Sequence, residues 1–172
     1  MRFVPEVQEK NWYAVYTVVR HEKSAGSALV EKGVEIFLPL RRVTSRWKDR
    51  WKRIQVPLFP GYLFVLISHR SQEMLNVLRT RGVVSILGAG QIPGPVPEEQ
   101  IVALKVLVQS GLKYDAEELY ERGKDVIVVN GPLSGIRGKF IERRGAFRLI
   151  LEVEMIHRAV AVQVDLRDVE LL

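Results

Sequence analysis

Few residues in this 172-residue chain could carry covalent or acid–base chemistry, and their spacing does not suit it. The three histidines, His21, His69 and His157, lie far apart in different local contexts. His69, in a loop after a strand, reads as solvated. There is no cysteine, which excludes a disulfide, a thiolate metal site and a cysteine nucleophile. Neither His-Glu-x-x-His nor Gly-x-Ser-x-Gly occurs, and no paired carboxylates are set for acid–base work. Gly88-Ala89-Gly90 lacks the spacing and the following Lys-Ser/Thr of a phosphate loop. The expectation is a protein without enzymatic chemistry, metal or cofactor.

Binding chemistry is better represented. From Arg41 to Arg53 the chain interleaves Arg41, Arg42, Arg46, Lys48, Arg50, Lys52 and Arg53 with Trp47 and Trp51, and Asp49 is its only acid. Cations that reach phosphates, beside aromatic planes that can stack on bases, suit a nucleic-acid surface. The net charge of +6 points to the same partner class. The alternative is a solvated hairpin whose tryptophans cap an edge. Just after this run, Pro57-Leu58-Phe59-Pro60-Gly61 leads into Tyr62-Leu63-Phe64-Val65-Leu66-Ile67. The prolines keep the lead-in out of helix and central ladder, and a period of two puts Tyr62 and Phe64 on one face.

These residues need a scaffold, and the pattern supplies one. Trp12 to Val18 reads as a strand with Trp12, Ala14, Tyr16 and Val18 on one face. Ala25, Ala28, Leu29 and Lys32 set a helical spacing that Gly33 ends. Val34 to Leu38 is extended, and Lys48-Asp49-Arg50 reads as a hairpin tip. Ser71 to Leu78 is a short helix with Met74, Leu75 and Leu78 apolar and Ser71 as N-cap. Val83 to Leu87 is a strand and Gly88 to Val96 a loop. A helix starts at Pro97 in the first helical position, buries Ile101, Leu104, Leu107 and Val108, and stops at Gly111. This order implies an α+β domain, residues 1–111, with a largely antiparallel sheet flanked by helices. Leu112 to Arg122 reads as a linker with a weak helical turn over Ala116 to Tyr120. From Gly123 about five short strands at turn spacing describe a small all-β barrel, residues 123–172, marginal as an independent fold at roughly 50 residues. Its charges nearly balance, which leaves the positive excess in the first domain.

No apolar run approaches the roughly 18–20 residues of a membrane helix, and Met1 to Lys10 lacks the apolar core of a signal peptide. A cytoplasmic location without membrane contact is expected.

Four segments in order resemble the NusG family of bacterial transcription elongation factors. They are Trp12-Tyr13-Ala14-Val15-Tyr16, Phe59-Pro60-Gly61-Tyr62-Leu63-Phe64-Val65, Thr80-Arg81-Gly82-Val83, and Val126-x-Val128 with Asn130-Gly131-Pro132-Leu133-Ser134-Gly135-Ile136-Arg137-Gly138. The last is similar to a KOW motif, which implies an SH3-like barrel. The resemblance implies that Tyr16, Tyr62, Phe64 and Phe59 line a hydrophobic depression. That depression would grip the clamp helices of the largest subunit of RNA polymerase.

The run from Arg41 to Arg53 falls where the family has a hairpin near upstream DNA. Its heavy charge is more similar to the specialised RfaH-like antiterminators, in which Arg20, His21 and Lys23 would face DNA as well. One departure is that Glu73, Met74 and Leu75 stand where RfaH-like proteins carry His-Thr-Thr. In the KOW domain Ile136, Ile156 and Arg158 match the patch that recruits a small-subunit ribosomal protein or Rho. Gly131, Pro132, Gly135 and Gly138, with the β-branched content, favour the barrel over the helical hairpin that RfaH also adopts.

The resemblance thus implies a monomeric factor on RNA polymerase and the DNA of the transcription bubble, with nascent RNA a further partner, that suppresses pausing or termination. The competing reading is a KOW-type RNA-binding or ribosome-associated protein, which leaves the N-terminal domain without a role.

Overall fold

A computed structural model of the chain describes residues 8–118 and 122–172; part of the Met1 to Lys10 segment and Leu119 to Glu121 lie outside it. In chain order the elements are β1 (Lys10–Thr17), α1 (Glu22–Glu31), β2 (Glu35–Phe37), β3 (Leu40–Trp47), β4 (Arg50–Pro57), β5 (Tyr62–Ser68), α2 (Ser71–Leu78), β6 (Val83–Ile86), β7 (Gly88–Ala89), β8 (Ile92–Pro93), β9 (Pro95–Val96), α3 (Glu98–Ser110), β10 (Tyr114–Glu118), β11 (Lys124–Val128), β12 (Arg137–Arg143), β13 (Ala146–Val153), β14 (Arg158–Gln163) and β15 (Val169–Leu171). The chain forms an α+β fold of antiparallel sheets. It divides into two compact units, one of residues up to Leu38 with Gly61–Pro95, the other of Pro39–Pro60 with Val96–Leu172.

In the first unit the sheet runs β2-β5-β1-β6, all antiparallel. One face carries Tyr13, Val15, Leu63, Val65 and Ile67, and Ala25 and Leu29 of α1 and Met74 and Val77 of α2 pack on it. Alternation along aromatic and β-branched strands thus delivers one apolar face to two short helices. Helix α1 ends where Val34 N–H bonds the Leu29 carbonyl at 3.0 Å and Gly33 takes φ +79. The Lys32 ammonium then donates to Asn76 O at 3.1 Å and to Thr80 Oγ1 at 2.9 Å, fastening the end of α1 to the end of α2.

Three local expectations change here. The buried positions of α2 are Met74 and Val77, whereas Leu75 and Leu78 are exposed, because an i, i+3 pair suffices for so short a helix. The N-cap is Arg70, in an extended conformation, and the Glu73 carboxylate reaches back to accept Ser68 N–H at 2.7 Å. The loop after β6 contains the β7–β8 pair, closed by Gly94 N–H on the Leu87 carbonyl at 3.0 Å.

In the second unit β3 and β4 form a two-stranded ribbon, and the C-terminal β domain is a six-stranded antiparallel sheet in the order β10-β14-β13-β12-β11-β15. Ile150, Ala159, Ala161 and the half-buried Ile141 cluster within that domain. Helix α3 buries Ile101, Ala103, Leu104 and Leu107, with Val108 half-buried and Pro97 at the N-cap, one place before the first helical position.

The expected linker is corrected in part. Tyr114–Glu118 is a strand paired to β14, not a helical turn; Leu119 and Tyr120 lie outside the described residues. Its acids, which read as linker composition, face basic partners in the sheet: Asp115 pairs with Arg148 at 3.3 Å and Glu117 with Arg143 at 3.2 Å. Tyr114 extends from this strand to donate its hydroxyl to the Leu40 carbonyl at 3.0 Å, and burial pushes that phenol's pKa up.

Candidate functional site

A pair of tyrosines stands on the two central strands of the first unit's sheet, at the end of β1 and the start of β5. Tyr16 and Tyr62 are direct register partners across β1 and β5, with ring centroids 5.4 Å apart and planes tilted by 46°. Tyr16 is 37 % exposed and Tyr62 half-buried. Their position follows from the Pro60-Gly61 turn that starts β5. Thr17 N–H donates to the Gly61 carbonyl at 2.8 Å, and Gly61 N–H donates to Glu22 Oε1 at 2.8 Å. Gly61 sits at φ +86 and a Cβ there would stand 3.2 Å from Tyr16 Cε2, so the ring lies against bare backbone.

Phe64 and Phe59, expected beside the tyrosines in one surface depression, are corrected. Phe64 is 0 % and Phe59 1 % exposed. Phe64 shares its face with Tyr62, as the alternation requires, but lies opposite Ala14 and Phe37 and stacks on the Phe37 ring at 6.1 Å. The shared face is open at Tyr62 and closed at Phe64. Val84 was not foreseen. The β1–β6 register passes from Tyr16↔Ser85 to Thr17↔Val83, which leaves Val84 as a bulged residue beside Tyr16, 53 % exposed. A bulge has no signature in residue types alone.

Two groups of cations surround different features. Arg20, at φ +70, and His21 precede α1, and His21 O accepts Ala25 N–H at 2.8 Å. The loop of Thr80, Arg81 and Gly82 comes against His21, since a Cβ on Gly82 would lie 3.3 Å from His21 Cβ. Exposed Arg79 and Arg81 thereby join exposed Arg20, His21 and Lys23, an addition that needs the tertiary contact to be seen. In the second unit the ribbon pairs Arg42↔Gln55, Val43↔Ile54, Thr44↔Arg53, Ser45↔Lys52, Arg46↔Trp51 and Trp47↔Arg50, with Lys48 and Asp49 as a two-residue tip. Arg41, Arg42, Arg46, Trp47, Lys48, Arg50, Trp51, Lys52 and Arg53 are all exposed.

Residues 10–105 match the family model described as "Transcription termination factor nusG". The chain belongs to the NusG family. It is 30 % identical to the transcription termination/antitermination protein NusG of Staphylococcus epidermidis, over 97 % of this chain and 98 % of that one. It is 29 % identical to the protein of the same name from Thermus thermophilus, over 92 % and 96 %. A solved structure of Thermotoga maritima NusG shares the fold at a TM-score of 0.55 and 22 % identity, covering 95 % of this chain and 97 % of the other. The chain is therefore a NusG-type transcription factor. Among its described residues no helix is long and apolar enough to cross a membrane.

In this NusG-family chain the C-terminal positions expected to recruit a partner are only partly at the surface. Ile136 and Ile156 are 8 % and 3 % exposed, a correction to their reading as an outward patch, and Arg158 is exposed with its guanidinium on the His157 carbonyl at 3.1 Å. Ile136 closes the turn between β11 and β12 through its own N–H to the Leu133 carbonyl at 3.0 Å, and the turn holds it inward. It lines a cleft of about 910 Å³ between the first turns of α3 and strands β12 and β13.

Proposed function

We propose that this NusG-family factor rides RNA polymerase during elongation. In this reading Tyr16 and Tyr62, with Val84 beside them, grip the clamp helices of the largest subunit. The Arg41–Arg53 ribbon and the Arg20, His21 and Lys23 group hold DNA of the bubble. The observation that carries the reading is the Tyr16–Tyr62 pair: two tilted aromatic rings, part-exposed and fixed by backbone bonds, form a preorganised anchor for an amphipathic helical partner.

Phe64, on the same face but closed over by Phe37, belongs to the packing of the sheet instead of touching the partner. Polymerase and DNA contacts fall to residues 1–111, and residues 123–172 recruit a ribosomal protein or Rho through Arg158 and the neighbouring surface. Binding that favours the closed clamp shifts the population away from paused states, without chemistry by the factor itself. The test is capture of the full-length chain by a clamp-helix peptide. Tyr16→Ala/Tyr62→Ala should abolish capture, and undiminished binding by this variant refutes the assignment.

A further inference from the structure

Strand β10 and the strand it covers are of opposite character. β10, Tyr114-Asp115-Ala116-Glu117-Glu118, is the terminal strand of the six-stranded sheet, and its neighbour is β14. Aspartate, glutamate and alanine are poor strand formers. Among the described side chains of β10 none is buried, and Asp115 and Ala116 are exposed. β14 is the reverse. Ala159, Val160 and Ala161 are 0 % exposed and Val162 1 %. By the β13 register Val160 and Val162 share the face of Leu149 and Leu151, whereas Ala161 shares that of Ile150, with Ala159 on the same side. A strand apolar and buried on both faces belongs inside a sheet, and with a neighbour missing it is a template for pairing with another chain.

What holds β10 on that strand is exposed. Beyond the backbone ladder, Asp115 meets Arg148 at 3.3 Å and Glu117 meets Arg143 at 3.2 Å, and the Asp115 and Arg143 side chains are 70 % and 45 % exposed. Exposed pairs of this kind contribute little and are screened by salt. The start of the strand is better fixed, since the Tyr114 hydroxyl donates to the Leu40 carbonyl at 3.0 Å. β10 is thus tied at one end and loosely held along the rest. The apolar cluster of Ile150, Ala159, Ala161 and Ile141 contains no β10 residue, so the domain keeps it when β10 leaves.

We propose that β10 is a detachable cover, and that its release opens β14 as an edge to which a second copy of this chain pairs. Few buried contacts and exposed backbone hydrogen bonds mark a segment that opens well below the global unfolding free energy. While β10 is in place the edge of the sheet carries Asp115 and Glu117, and like charges facing each other across a ladder keep a second copy off. Once β10 leaves, the edge is uncharged from Ala159 to Val162. Two such edges paired antiparallel about their centres keep the Arg158 of one copy at the far end from the Arg158 of the other, so no repulsion opposes them.

Residue-resolved amide exchange by NMR on the full-length protein reads the cover first. In an antiparallel strand successive residues bond to opposite neighbours, so alternate β14 amides should exchange together with those of β10. These should exchange at least about tenfold faster than the remaining β14 amides, which bond β13. Asp115→Asn/Glu117→Gln should speed β10 exchange about twofold or more, and added salt should do the same to wild type. Of two consecutive residues one N–H faces β14, so Ala116→Pro/Glu117→Pro removes a ladder bond and releases the strand. In analytical ultracentrifugation that variant should form a dimer in equilibrium with monomer, its C-terminal domain folded and its freed β14 amides protected again at high concentration, while wild type stays monomeric. Protection of β10 equal to that of β13, or unfolding of the whole domain in the proline variant, makes β10 an integral strand and overturns the cover. A folded proline variant that remains monomeric at every concentration overturns the pairing edge.

Discussion

The carboxylate of Glu22, only 3 % exposed, accepts the backbone N–H of Gly61 at 2.8 Å, across 39 positions of sequence. This bond joins the start of α1 to the turn that opens β5. With Thr17 N–H on the Gly61 carbonyl, it places the Tyr62 end of β5 opposite Tyr16. Deleting the acceptor strands a buried donor, which costs about 1–3 kcal/mol. Glu22→Ala should therefore lower the free energy of unfolding measured in urea by that amount, while Glu22→Gln, whose amide oxygen still accepts, loses less. Equal stability of the alanine variant and wild type excludes this role.

Gly61 carries two constraints at once. Its φ of +86 disfavours a side chain by about 1–2 kcal/mol, and a Cβ would meet the Tyr16 ring at 3.2 Å. Gly61→Ala should destabilise the chain by at least that amount and, by pushing the ring, also weaken capture by the clamp-helix peptide. A variant that loses stability yet keeps full affinity shows that the ring's position is immaterial to the partner.

The elements were legible from the sequence wherever one local rule decided them. Alternation placed Tyr62 and Phe64 on one face, Gly33 ended α1, and the tip read at Lys48-Asp49-Arg50 holds for Lys48 and Asp49, with Arg50 already in β4. What escaped depends on partners distant in sequence. Phe64 is closed over because Phe37 stacks on it. Tyr114–Glu118 is a strand because Arg143 and Arg148 receive its acids and β14 offers a free edge. Val84 is exposed because the register slips by one residue.

Asp165 provides a titration that reports on a turn alone. Its carboxylate accepts Arg167 Nε at 3.0 Å, Arg167 Nη2 at 2.9 Å and the Arg167 backbone N–H at 2.9 Å. The side-chain bonds foremost, then the backbone bond, hold its carboxyl down to about 2. A depressed carboxylate contributes stability at pH values above its ordinary range near 4, and that contribution is lost as pH falls toward about 2. The turn from Asp165 to Asp168 should therefore stay intact through mild acid and loosen only near its lower end. Carbon-detected NMR should give a midpoint near 2, and Arg167→Ala should move it upward. A wild-type midpoint in the ordinary range contradicts the hydrogen-bonded turn.

The tyrosine pair and Phe64 can be separated by their energetics. Truncating Phe64, which is 0 % exposed, opens a cavity and should cost about 3–5 kcal/mol of stability. Tyr16 is 37 % exposed, and Tyr16→Ala should cost far less in folding. At an interface, though, a central aromatic anchor is worth about 2 kcal/mol or more, a loss of roughly thirtyfold in affinity. Thermal unfolding and peptide titration on the same two variants should therefore move in opposite order. Phe64→Ala should have the lower melting temperature; Tyr16→Ala should have the weaker binding once both are measured well below their transitions. If Phe64→Ala, still folded, binds more weakly than Tyr16→Ala, the partner reaches past the tyrosines into the sheet, and the anchor has been placed one layer too shallow.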